Sequence, residues 1–235
     1  METRTLLLTF MTLIVIGIAS LVIYGLVKMG GFGPGYNPIS PQKTSVTLIG
    51  PLESGQDSQT INSNLPRSMN EDDGLEFSYT AWILINDYTY GNSGDPVIFV
   101  RGTATPKVFF DVNRNILYVT QKTYESEETI KIRNMPAEKM FHLGITVRQT
   151  SFDVYINGLL HTHKTLESLP LIEEAPVNVG PNGGWKGLIG SLIYYNYALS
   201  PGEMRSVSNT KAVQNPALEP PNPPYFSTSW WIGNH

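Results

Sequence analysis

From about residue 45 to about residue 210, apolar side chains recur at every second position, not every third or fourth. In Phe141-His142-Leu143-Gly144-Ile145-Thr146-Val147 the apolar residues fall on alternate positions, and Phe152-Asp153-Val154-Tyr155-Ile156 repeats the pattern. A strand sends successive side chains to opposite faces, so this period predicts antiparallel strands with one buried and one wet face. Strands are predicted at 45–49, 76–85, 96–101, 107–111, 116–121, 128–132, 141–148, 151–156, 159–165, 177–179 and 185–197. His142, out of phase with Phe141 and Leu143, is expected on the wet face.

Turn residues punctuate these runs. Asn157-Gly158 predicts a two-residue hairpin, because a type I′ turn needs positive φ at both central positions. Asn113-Arg114-Asn115 and Asn182-Gly183-Gly184 mark further turns. One short helix is expected from Ser200 to about Ser208: Ser200 offers an N-cap, Pro201 stands at the first helical position and Glu203 lies in the first turn.

The N-terminus follows another pattern. An uncharged run starts at Leu6 and ends at Val27, between Arg4 and Lys28. About 20 apolar residues cross a bilayer core, and at 1.5 Å per residue this run reaches about 33 Å. It shows no polar face, so it is expected to be a transmembrane anchor. A cleaved signal peptide is the competing reading, with Gly17-Ile18-Ala19 as its small-residue site. The continuation of the run through Val27 favours the anchor. Lys/Arg counts on the two sides nearly balance and leave the orientation open.

The predicted organisation is an anchor (1–29), a Gly/Pro-rich linker (30–44), an all-β antiparallel sandwich (45–210) and a Pro-rich arm (211–235). In the arm, Pro220, Pro221, Pro223 and Pro224 favour extended polyproline II ahead of Tyr225, Phe226, Trp230, Trp231 and Ile232. Trp and Tyr are enriched at interface hot spots. The arm therefore reads either as docking on a neighbour or as folding back on its own domain.

Three pieces in order carry a family resemblance. Phe77-Ser78-Tyr79-Thr80-Ala81-Trp82-Ile83 resembles the entry strand of laminin-G-like, concanavalin-A-like jelly rolls. Val154 to Leu159 resembles that family's strand, Asn-Gly, strand hairpin, and Trp185 to Ser200 its closing strand and following helix. In joining a membrane segment to one cysteine-free jelly roll, the chain is also similar to virion (minor capsid) proteins of large DNA viruses of algae and protists. That resemblance implies a structural protein tying an inner membrane to a capsid shell, localised to the membrane by a single pass. The family also contains sugar binders and glycosidases.

Composition narrows the chemistry. A formal net charge of -4 with no Lys/Arg cluster argues against nucleic-acid binding. No cysteine means no disulfide and no thiolate nucleophile, and no Asn-x-Ser/Thr acceptor occurs; both fit a domain facing a reducing compartment. Jelly-roll glucanase relatives carry a Glu-x-Asp-x-x-Glu or Glu-x-Asp-x-Glu strand, which is missing here. Glu125, Glu127 and Glu128 form the nearest cluster and are expected in a solvated loop, so no enzyme activity is expected. His161 and His163 share a strand face without an evident third zinc ligand. Calcium, the family's common cofactor, would draw on Asp87 and Asp95, which are also ordinary turn residues. No resident cofactor is expected.

Two functions remain. The first is a membrane-anchored structural protein whose partners are membrane lipid and capsid-like subunits, docking through Tyr225, Phe226, Trp230, Trp231 and Ile232. The second is a membrane-displayed, lectin-like module that takes a glycan near an exposed Trp185 with calcium near Asp95.

Overall fold

A computed structural model describes residues 2–28, 42–62, 64–71, 74–88, 95–112 and 114–215. The chain divides into two compact units, with the boundary after Gln42.

The first unit is helix α1 (Glu2–Lys28). No proline interrupts it, and the Ser20 hydroxyl donates to the Gly17 carbonyl at 2.9 Å, a local bond that satisfies the hydroxyl. Side chains are described over 11–24, where Leu13, Ile16, Leu21 and Ile23 stand exposed. Among the described residues no helix is long and apolar enough to cross a membrane. The helix passes through Leu6 and Val27, whose side chains lie outside the described ones.

The second unit is a sandwich of two antiparallel sheets. One sheet orders β1 (Ser45–Ile49), β14 (Gly187–Tyr195), β5 (Gly74–Ile85), β10 (Phe141–Arg148), β11 (Ser151–Ile156) and β12 (Leu159–Thr165). The short β2 (Glu53–Ser54) also pairs β14, and β4 (Met69–Glu71) pairs β5. The other sheet orders β3 (Gln59–Ile61), β13 (Val177–Val179), β6 (Val97–Arg101), β7 (Lys107–Phe110), β8 (Leu117–Lys122) and β9 (Glu127–Ile132). The expected strands all form, with ends moved by up to two residues. Strands β2, β3 and β4 went unpredicted because two or three residues are too few to show a period.

The alternation seen in the sequence does build the core. Phe77, Tyr79, Ala81, Ile83 and Ile85 of β5 point inward beside Phe141, Leu143, Ile145 and Val147 of β10. Aromatic rings bridge the layers: Tyr79 lies 5.8 Å from Phe99 and 5.1 Å from Tyr194 between ring centroids. Such tilted pairs add to burial of the rings themselves. On the outer face of the second sheet, Phe109 and Tyr118 stack at 5.0 Å, with Lys107 over one ring and Lys131 over the other.

The outer face of the first sheet is not wet, which corrects the sequence expectation. Helix α2 (Pro201–Asn209) and the chain before it lie across that face, so every residue of β10 except Arg148 is buried. A second small core forms there from Tyr155, Tyr195, Leu199 and Met204. The strap leading to α2 is tied down by Ser78, whose hydroxyl donates to the Tyr197 carbonyl at 3.0 Å and accepts from the Leu199 amide at 2.8 Å. The helix starts where expected. Ser200 and Glu203 form a reciprocal capping box, and donation from the Ser200 hydroxyl and amide to the Glu203 carboxyl holds it below its usual pKa.

His142 is buried accordingly, 1% exposed, on the side facing α2. Its cross-strand neighbour Trp82 meets it edge-on at 5.2 Å. Trp82 in turn donates through Nε1 to the Thr210 carbonyl at 3.0 Å, just past the helix. Burial lowers the His142 pKa to about 4.

Candidate functional site

Trp185 cannot serve as an exposed sugar platform. It is fully buried, its Nε1 donates to the Leu84 carbonyl at 3.1 Å, and its ring fills the space beside Gly55 where a Cβ would sit. An indole with an internal acceptor and no exposure is a core residue.

Glu128 also departs from expectation. It is 5% exposed within β9, pairs with Lys164 at 3.1 Å and accepts from the Glu167 amide at 2.6 Å. It thereby clasps the edges of the two sheets. Glu125 and Glu127 are exposed. His161 and His163 share an exposed edge strand; His163 meets Asp153 at 2.6 Å and His161 meets Thr162 at 2.8 Å. Among the described residues no three His, Asp or Glu side chains converge to hold a metal. The loop between Asp87 and Asp95 falls largely on 89–94, outside the described residues, as do Tyr225, Phe226, Trp230, Trp231 and Ile232.

A different place has the shape of a site. Between the two sheets, at the end where the chain passes from β3 to β4, a cleft of about 760 Å³ opens, within the usual range for ligand pockets, ~300–1,000 Å³. Its lining includes Asn62, Asn64, Arg67, Arg101, Tyr124 and Tyr194. The sequence signalled none of these, because they come from four separate stretches of chain.

Arg101 is set rigidly at the end of β6. Its amide donates to the Pro106 carbonyl at 3.0 Å, its carbonyl accepts from the Thr105 amide at 2.9 Å, and it pairs with Val177 of β13. The residue is only 6% exposed. Nη1 lies 3.4 Å from the Tyr79 hydroxyl, and the guanidinium carbon is 5.7 Å from the centre of the Tyr194 ring. Nε finds no acceptor among the described residues.

The nearby acids are committed elsewhere. Glu173 accepts from the Thr103 amide at 2.6 Å and the Thr103 hydroxyl at 2.7 Å, with Lys122 at 4.0 Å. The Thr103 amide bond, chiefly, holds its carboxyl below the usual range. Glu174 stands on the exposed rim, 3.7 Å from Arg67. Burial raises the pKa of the Tyr79 and Tyr194 phenols, so both stay neutral and neither is a counter-ion. On the opposite rim Tyr124 projects, 70% exposed, while its amide is fixed to the Leu169 carbonyl at 3.2 Å.

The cleft thus has a cationic floor, amides at its mouth and an aromatic ring on its rim. Such a set can orient an oxygen-rich ligand; the lining offers one described carboxylate, Glu174.

Among curated proteins none matches the sequence. Solved structures share its fold. The receptor-binding domain of botulinum neurotoxin D superposes with a TM-score of 0.55 at 16% identity, over 72% of this chain and 48% of that one. The botulinum neurotoxin serotype D ligand-binding domain in complex with N-acetylneuraminic acid gives 0.54 at 14%, over 72% and 46%. This chain therefore spans about half the length of those domains. The sequence profile of the concanavalin A-like lectin/glucanases superfamily matches residues 54–205, from the second strand into the capping helix, and the chain belongs to that superfamily.

Proposed function

We propose that this protein is a membrane-held, lectin-like binding module that takes a sugar in the inter-sheet cleft. One observation carries the reading: the cleft brings the side chain of Arg101 and the exposed ring of Tyr124 together in one lining. Sugars present ring faces that pack on aromatics and hydroxyls that pair with amides such as Asn62 and Asn64. A botulinum neurotoxin D domain, of which a little under half matches this fold, was solved with N-acetylneuraminic acid, which makes sugars the first ligands to test. Binding is favoured over hydrolysis because glycosidases flank the bond with two carboxylates.

The membrane assignment rests on the uncharged run from Leu6 to Val27 and on the unbroken helix Glu2–Lys28. The full chain should stay with membranes through alkaline carbonate, and release by carbonate would defeat the anchor. A glycan array probed with the detergent-solubilised chain tests the cleft. Retained glycans should weaken about tenfold in Tyr124→Ala, and an array with no retained glycan would defeat the sugar reading.

A second reading makes the domain a structural link, a minor virion component between an inner membrane and a capsid shell. It is favoured by Leu159 and Leu160, 57% and 54% exposed at the tip of the β11–β12 hairpin, an apolar knob suited to a protein neighbour. Removing 215–235 should abolish co-assembly while leaving the sandwich folded, and unchanged incorporation would count against the docking arm.

A further inference from the structure

A buried guanidinium without a paired anion is costly to fold, because the charge gives up its hydration. Arg101 is in that position. It is 6% exposed, its buried Nε has no acceptor among the described residues, and it feels the Glu173 carboxylate through space without a described ion pair to it. The acids that could reach it are held away, Glu173 over Gly102 by Thr103 and Glu174 on the rim by Arg67. Arg101 is one of the residues that line the cleft.

We propose that the Arg101 guanidinium seats the carboxylate of an acidic sugar, with the sugar ring against Tyr124 and its hydroxyls at Asn62 and Asn64. This rests on the sugar-binding reading above and adds the ligand's charge and its point of attachment. A carboxylate suits this place because the planar fork of arginine meets two oxygens at once. The Tyr194 ring beneath the guanidinium and the Tyr79 hydroxyl beside it fix the plane of that fork. At the mouth Arg67 and Glu174 pair at 3.7 Å and offset one another, so the attraction for an anion comes from Arg101. A free carboxylate ion would leave Tyr124 and the two asparagines unused, so the ligand is an acid that carries a sugar ring.

Immobilised glucuronic acid and N-acetylneuraminic acid conjugates, their methyl esters, 6-sulfated galactose and neutral galactose form the test set. The solubilised full chain should retain the two acids and bind their methyl esters at least tenfold more weakly. Arg101→Gln and Arg101→Lys should show the same loss, the lysine variant because it keeps the charge without the fork. The ester comparison uses the unaltered protein and does not depend on how the variants fold. Acids and esters bound equally would overturn the carboxylate seat while leaving a sugar-binding cleft intact. A preference for the sulfated sugar would overturn it as well. If no conjugate is retained, the sugar-binding reading falls together with this one.

Discussion

Met204 of α2 occupies the space above Gly144 of β10 that any Cβ at that position would enter. The contact explains how a helix lies flat on the outer face of a sheet. A strand glycine normally weakens a sheet, and here it makes room for a fully buried side chain. Gly144→Val should therefore lift α2 and expose Tyr155 and Tyr195. Overpacking costs of about 1–3 kcal/mol are typical, which chemical denaturation should read as a lower midpoint. An unchanged midpoint would mean that the Met204 thioether swings aside and α2 stays seated.

His142 gives the same face a pH dependence. Its pKa falls from 6.5 in the unfolded chain to about 4 in the fold because burial disfavours the imidazolium. Above pH ~6.5 both states are neutral, and stability is at its full value. As pH drops from ~6.5 towards ~4 the unfolded state takes up a proton that the fold refuses. Stability then falls by up to ~1.4 kcal/mol per pH unit, on the order of 3 kcal/mol in all. Glu173 and Glu203, whose carboxyls are held below their usual range, add their own losses at lower pH. The measurement is a difference: melting curves at pH 7.5 and 4.5 should lie closer together for His142→Gln than for the parent. Identical gaps would remove His142 from the account.

Trp185 anchors the chain as it enters β14. Truncation to alanine removes a fully buried indole and its bond to the Leu84 carbonyl. Losses of ~3–5 kcal/mol accompany such changes, enough to unfold a marginal domain. Gly55→Ala presses on the same ring from the other side and should also destabilise. Near-ultraviolet circular dichroism, which reports the packing of the indole, would show both effects.

The start of α2 offers a milder test. Ser200→Ala removes the cap that accepts from the Glu203 amide and should cost ~1 kcal/mol. Glu203→Gln keeps a residue able to close the box and should cost less. Thermal melts of the two variants, read against the parent, rank them; the reverse order would contradict the cap.

Alternating runs such as Phe141 to Val147, the Asn157-Gly158 turn and the Ser200 cap were readable from the chain, because each obeys a local rule of period, torsion or hydrogen bonding. Asn157 and Gly158 adopt φ of 52° and 76°, as that turn requires. The cleft was not readable. Arg101, Tyr124 and Tyr194 look like ordinary strand and turn residues, and no spacing links them.

By itself the sequence determined a two-sheet core, its turns and the capped helix after it, since local patterning alone selects those. Tertiary structure alone decided that the helix covers the outer face of the first sheet, burying His142, and that Trp185 is core. It also decided that Arg101 lines a cleft, with a buried Nε that has no acceptor among the described residues. Burial and pairing belong to surfaces brought together from distant parts of the chain, and no short stretch of residues encodes what will lie against it.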